Sequence, residues 1–150
     1  MVITRTMSKA FALAGARIGY ALGAPDVIDD MQRVRLPYHL SAITQATGVA
    51  ALRHAKEAMA ILDAIRDERD RILAALRSLP DVTVYPSDAN FVLFVPPKPA
   101  SEVWQGLVDR GVLIRDLSSV VPNALRVTAG TTHEVDLFLS ALEEVLAACT

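Results

Sequence analysis

Short β-branched runs interleaved with amphipathic, capped segments predict an α/β chain whose larger part is a small α+β layer. The strand-like runs, at residues 1–5, 18–22, 82–84, 91–95, 112–115 and 125–128, are short and bounded by turn residues. Between them, apolar residues recur at spacings of three and four, most clearly over residues 55–79. The elements follow one another as β-α-β-β-α-β-β-α, and spacings this short suit an α+β layer. Across the 150 residues, 52% are hydrophobic, 21% charged and 5% aromatic, which supports a packed core and argues against disorder, coiled coil or collagen-like repeats.

The chain opens on Met1-Val2-Ile3-Thr4-Arg5, a β-branched run with no polar lead-in, expected in the middle of a sheet. Small residues follow from Ser8 to Gly15, and a second β-like run, Ile18–Leu22, stops at Gly23-Ala24-Pro25. Pro25 suits a first helical position, so a short helix is expected to about Arg33. Pro37 disfavours helical geometry at Leu36, and Ser41 is a good cap for a helix running to about Arg53.

From Ala55 to Leu79, the stripe Ala58, Ile61, Leu62, Ile65, Ile72, Leu73, Leu76 and Leu79 predicts one long amphipathic helix. Its charge-dense middle reads as a solvated face, with Asp67/Arg71 and Arg66/Asp70 pairing four residues apart. Leu79-Pro80-Asp81 ends it. Pro96-Pro97-Lys98-Pro99 is a rigid connector, after which Ser101 is expected to cap a helix ended by Gly111. Thr131 and Glu134 form a capping box for the last helix, whose buried stripe is expected to be Val135, Phe138, Leu139, Leu142 and Leu146. A boundary near residues 53–57 divides the chain into parts 1–53 and 54–150.

Several function classes are excluded early. Fifteen Lys and Arg against seventeen Asp and Glu give a net charge of −2, so there is no strong electrostatic case for nucleic acid or an anionic membrane. Charges at Arg17, Asp26, Arg33, Lys56 and Asp63 cut every apolar stretch well short of the ~18 residues a spanning helix needs, despite a mean hydropathy of +0.33. Cys149 is the single cysteine and no secretory-signal pattern leads the chain, which suits a reducing, cytoplasmic compartment. His39, His54 and His133 lack metal-ligand spacing, so no metal site is expected. There is neither a Gly-x-Ser-x-Gly elbow nor a Gly-Lys-Ser/Thr phosphate loop.

The segment Thr4 to Tyr20 remains. Lys9 stands on a turn just after an apolar strand, where open α/β sheets place ligands. It follows hydroxyls at Thr6 and Ser8 and precedes Arg17 by eight residues. Hydroxyls with a guanidinium are the chemistry of phosphate binding, and a lysine beside another cation is a setting for an amine nucleophile. Gly15 and Gly19 would let backbone approach a ligand closely.

The whole string Thr-x-Ser-Lys-Ala-Phe-x-Leu-Ala-Gly-x-Arg-x-Gly-Tyr resembles the lysine segment of class II pyridoxal-phosphate-dependent aminotransferases of fold type I, and within them the histidinol-phosphate aminotransferases. The likeness runs through nearly the whole chain. It takes in Leu36 to Ser41, the Ser87-Asp88-Ala89-Asn90-Phe91 strand entry, Gly111 to Asp116, and Asn123 to Thr131. The resemblance implies that Lys9 carries pyridoxal 5'-phosphate as a Schiff base while Ser8, Arg17 and more weakly Thr6 hold its phosphate. It implies Arg126 and Arg115 as substrate-anion residues and Asn90 as a further substrate contact. Arg115 could instead pair with Asp116, and Asn90 could satisfy local backbone.

The implied reaction transfers an amino group from L-histidinol phosphate to 2-oxoglutarate, with small-molecule amino donor and 2-oxo acid as partners, in a homodimer. An aromatic-amino-acid aminotransferase or a threonine-phosphate decarboxylase is the nearest other reading, and an inert α+β interaction module the reading from another class. The family's long segment before the lysine strand, with the ring-stacking aromatic and the Asp for the pyridine nitrogen, finds no match here. The chain is accordingly expected to be a C-terminal portion, inactive alone: a truncated form or half of a split enzyme, with residues 1–53 a remnant of the cofactor-binding domain. Residues 1–20 are then expected to be disordered, refolded, or paired with another copy.

Overall fold

Gly19 lacks a Cβ, and the first sheet depends on it: a Cβ there would lie 2.6 Å from the Arg5 carbonyl oxygen. β1 (Ile3–Thr6) and β2 (Gly19–Leu22) pair antiparallel, Ile3 opposite Leu22 and Thr6 opposite Gly19. In the computed structural model, which describes residues 1–148, this is a two-stranded sheet with β1 exposed along its length. Among the described residues β2 is the one strand paired with this opening run. Residues 1–20 are folded within the chain, with turns linking the two strands. Cys149 lies outside the described residues.

Three consecutive helices follow, as the segments ending near Arg33, Arg53 and Leu79 predict. α1 (Pro25–Val34) begins with proline in its first turn and buries no residue. α2 (Ala42–Arg53) begins at Ser41, whose side chain accepts from the Thr44 N–H at 3.0 Å. α3 (Ala55–Ser78) is the long helix the stripe predicts. The chain divides into two compact units, Met1–Leu62 and from Asp63 onward. The first unit buries only Met7 among its large side chains and leaves Ile43, Val49, Leu52 and Ile61 exposed.

The second unit is an α+β layer. β3 (Thr83–Val84), β4 (Phe91–Val95), β5 (Arg115–Asp116) and β6 (Leu125–Thr128) form an antiparallel sheet in the order β3-β4-β6-β5. Alternation along β4 and β6 sends Val92, Phe94, Leu125 and Val127 to one face. There they pack with Ile72 and Leu76 of α3, Val103 and Leu107 of α4 (Ala100–Val108), and Val135, Phe138 and Leu142 of α5 (Thr132–Ala147). Phe94 and Phe138 meet edge to face at 6.3 Å between centroids. The other face carries Phe91, Leu93, Arg126 and Thr128 and is only partly buried.

Local chemistry differs from expectation in four places. The cap of α4 is not Ser101; Pro99 occupies that position and the Asn123 side chain accepts from the Ala100 N–H at 2.6 Å. The α3 charges do not pair at four residues: Arg66 binds Asp63, and Arg71 binds Glu68 and Asp136. Arg71 also donates to the Thr132 carbonyl at 3.1 Å, so part of that face is drawn onto the first turn of α5. β5 covers Arg115–Asp116 instead of residues 112–115, and on α5 the buried stripe turns toward Ala141 and Val145, leaving Leu139 and Leu146 half-buried at its margin. The capping box of Thr131 and Glu134 forms as read.

Candidate functional site

The candidate residues lie in both units. In the first unit a Met7 N–H to Ile18 carbonyl bond at 3.0 Å follows the last ladder pair, Thr6:Gly19, and the chain leaves the ribbon in turns that hold Ser8 on one side and Arg17 on the other. The Thr6 hydroxyl donates to the Ser8 hydroxyl at 2.8 Å and accepts from the Ser8 N–H at 3.1 Å. This turn holds the two hydroxyls side by side and leaves the Ser8 O–H free to donate outward. Lys9 is the next residue; it is exposed, and its amine has no partner among the described residues. Arg17 sits in left-handed backbone at φ +54° and donates one N–H to the Ala14 carbonyl at 3.2 Å, leaving its remaining donors unengaged. Two hydroxyls, a guanidinium and an ammonium at one end of a ribbon make a donor set for a dianionic phosphate.

In the second unit, Arg115 and Arg126 are direct cross-strand partners on β5 and β6. Like charges directly opposite repel, yet neither arginine has an ion pair among the described residues. Asp116 does not neutralise Arg115: its carboxylate accepts from the Ser118 N–H at 2.8 Å, and the Ser118 side chain, then its backbone, hold the Asp116 carboxyl below the usual range. The Nε of Arg126 is buried without a hydrogen-bond partner. Its guanidinium lies over the Phe91 ring, 4.9 Å from the centroid.

Both arginines line a cleft of about 580 Å³ where β5, paired with β6 only at Arg115 and Asp116, leaves the rest of that edge uncovered. Thr128, Gly130, Glu134 and Leu137 line it too. Glu134 is held at its rim by the Thr131 backbone N–H and hydroxyl, which lower its pKa in that order of strength. Two guanidiniums that line one cleft and have no ion-pair partner among the described residues are suited to a carboxylate or phosphate.

Asn90 is placed apart from this lining. It is half-buried before β4, and its main-chain carbonyl accepts from the Ala129 N–H at 2.9 Å. Sequence reasoning missed Phe91, Thr128 and Glu134. The signal for Phe91 and Thr128 was the alternation that sets them on the face of Arg126; Glu134 was absorbed by its capping role.

The chain belongs to the aminotransferase class I and II family, whose model matches residues 1–142. It adopts part of the fold type I architecture of those enzymes. Among curated relatives, the histidinol-phosphate aminotransferase of Paenarthrobacter aurescens (strain TC1) is 51% identical over 146 residues, 97% of this chain and 38% of that protein. That of Streptomyces avermitilis is 53% identical over 146 residues, with the same coverage of 97% and 38%. Among solved structures, histidinol-phosphate aminotransferase from Sinorhizobium meliloti in complex with pyridoxal-5'-phosphate superposes with a TM-score of 0.78 at 30% identity, covering 99% of this chain and 42% of that one. The chain therefore spans about 38% of the length of the curated relatives it matches.

Proposed function

We propose that the protein carrying this chain is a pyridoxal-phosphate-dependent transaminase that moves the amino group of L-histidinol phosphate to 2-oxoglutarate. The observation that carries this reading is the end of the β1–β2 ribbon, where Lys9 follows the joined hydroxyls of Thr6 and Ser8 and Arg17 stands in the turn that leads into β2. That donor set fits the cofactor: hydroxyls and guanidinium for its phosphate, an unpaired amine for its carbonyl carbon. When bound, pyridoxal phosphate supplies an electron-withdrawing ring that stabilises negative charge at the carbon bearing the amine.

The chain's residues then have distinct tasks. Ser8, Arg17 and Thr6 hold the cofactor phosphate, and Lys9 holds the cofactor by its amine. With its amine free, Lys9 Nζ would take a proton from the donor's Cα as general base and give it up on the cofactor side as general acid. Arg126 and Arg115 bind the substrate anion, the planar guanidinium of Arg126 donating N–H groups to two oxygens at once. Asn90 contributes a further substrate contact from the start of β4. The reading includes a cytoplasmic homodimer, and the exposed apolar side chains of the first unit, such as Val34, Leu36 and Ile43, support a covered surface there. Among the described residues no helix is long and apolar enough to cross a membrane.

The test is turnover by the full-length protein loaded with pyridoxal phosphate. Histidinol phosphate with 2-oxoglutarate should yield glutamate, and Lys9→Ala should abolish both turnover and the visible absorbance of lysine-bound cofactor. A large kcat/KM advantage for phenylalanine, or CO2 release from threonine phosphate, would replace the substrate assignment. Folded protein that shows no spectral change with cofactor defeats the reading altogether.

A further inference from the structure

We infer that Phe91 is the positioning residue for the Arg126 guanidinium, and through it for the anionic end of the substrate; this rests on Arg126 as the anion-binding arginine proposed above. The Arg126 side chain has no hydrogen-bond or ion-pair partner among the described residues, and its Nε is buried and unpartnered. The contact recorded for its charged group is the Phe91 ring, with Cζ 4.9 Å from the centroid. Arg115, directly opposite on β5, pushes the guanidinium away and does not anchor it. The face of the ring is therefore what sets the plane of the guanidinium, leaving its N–H edges for a ligand.

Phe91 is itself fixed. Leu93 is the direct partner of Arg126 on β4, and Phe91, two residues earlier on the same face, is the diagonal neighbour whose ring reaches across. The Ser87 hydroxyl donates to the Phe91 carbonyl at 2.6 Å and accepts from the Ala89 N–H at 3.1 Å. Next to it, the Asn90 carbonyl accepts from the Ala129 N–H at 2.9 Å. The Ser87-Asp88-Ala89-Asn90-Phe91 turn is in this sense a mount for one aromatic ring, and its effect reaches the site through Arg126.

The experiment compares, in the full-length cofactor-loaded protein, kcat and KM for histidinol phosphate and for the same amine without its phosphate. A merely structural role of Phe91 lowers both alike. The positioning role predicts that Phe91→Leu reduces the phosphorylated-over-unphosphorylated preference about tenfold, the factor for 1.4 kcal/mol, with the loss carried by KM. Phe91→Tyr, which keeps the aromatic face, should restore the preference. Pentafluorophenylalanine at position 91 keeps ring shape but inverts the ring's charge distribution, and should lose the preference as Phe91→Leu does; it decides the matter if the leucine variant does not fold. A preference unchanged to within about twofold in the fluorinated or leucine protein overturns the inference. Absence of any preference in the unsubstituted protein overturns the anion-binding reading of Arg126 together with it.

Discussion

Replacing Asn123 with alanine should be among the most damaging single changes in the second unit. Its Oδ1 accepts from the Ala100 N–H at 2.6 Å, and its Nδ2 donates to the carbonyls of Lys98 at 3.0 Å and Pro96 at 3.3 Å. One side chain thus ties the proline-rich connector to the loop that feeds β6 and caps the first turn of α4. Ala100 is only 2% exposed, so water is a poor substitute partner for its N–H. At roughly 1 kcal/mol per hydrogen bond, the lost contacts come to about 2–3 kcal/mol. Asn123 also holds left-handed backbone at φ +58°. Alanine there costs about 1–2 kcal/mol more. Asn123→Ala should therefore lose about 3–5 kcal/mol, and Asn123→Gly, free of the backbone penalty, about 1 kcal/mol less.

Trp104, the single tryptophan, lies in α4 and reports this region by fluorescence during urea unfolding of the 150-residue chain. The midpoint should fall with the slope unchanged. A loss below about 1 kcal/mol for Asn123→Ala would show that solvent or rearrangement satisfies these groups. A glycine variant no more stable than the alanine one would refute the conformational part.

Three further outcomes are expected. Gly19→Ala sets a Cβ against the Arg5 carbonyl, a main-chain atom that cannot swing aside, so the full-length protein should lose affinity for pyridoxal phosphate in a spectroscopic titration; unchanged affinity would detach the β1–β2 ribbon from the cofactor site. Leu107→Ala removes a fully buried side chain from α4 and should cost about 2–5 kcal/mol in the same urea assay, a smaller loss meaning that the core collapses into the space. Glu134 has its pKa lowered in the folded chain by Thr131, so its contribution is present above the ordinary value of 4.5 and lost as pH falls below it. Glu134→Gln should flatten that acid-side decline, and an unaltered pH–stability profile would show that the capping carboxylate does not drive it.

Much of the candidate site was legible because its chemistry is contiguous. Thr6, Ser8, Lys9 and Arg17 lie within one short segment, and a hydroxyl turn at the end of a two-stranded ribbon needs only local backbone to form. Arg126 was legible as a cation on a strand entering a glycine turn. Its surroundings were not: Phe91 lies 35 positions earlier in the chain, and nothing local says which ring β4 will set diagonally across from β6. The competition for Arg115 was equally hidden, since Asp116 adjoins it in sequence but turns to Ser118.

The same division runs through the fold. Periodicity and capping chemistry determine the helices almost to their ends, as at Ser41, Gly111 and the Thr131–Glu134 box, because each rests on groups within a turn of one another. Side chains that choose partners across the chain escaped that logic: Arg71 leaves Asp67 for Asp136, and Asn123 takes the cap expected of Ser101. Long polar side chains have many partners within reach, and the exposed pairs on one helix differ little in energy. Tertiary packing decides among them, and it also decides that two arginines without an ion pair among the described residues line one cleft.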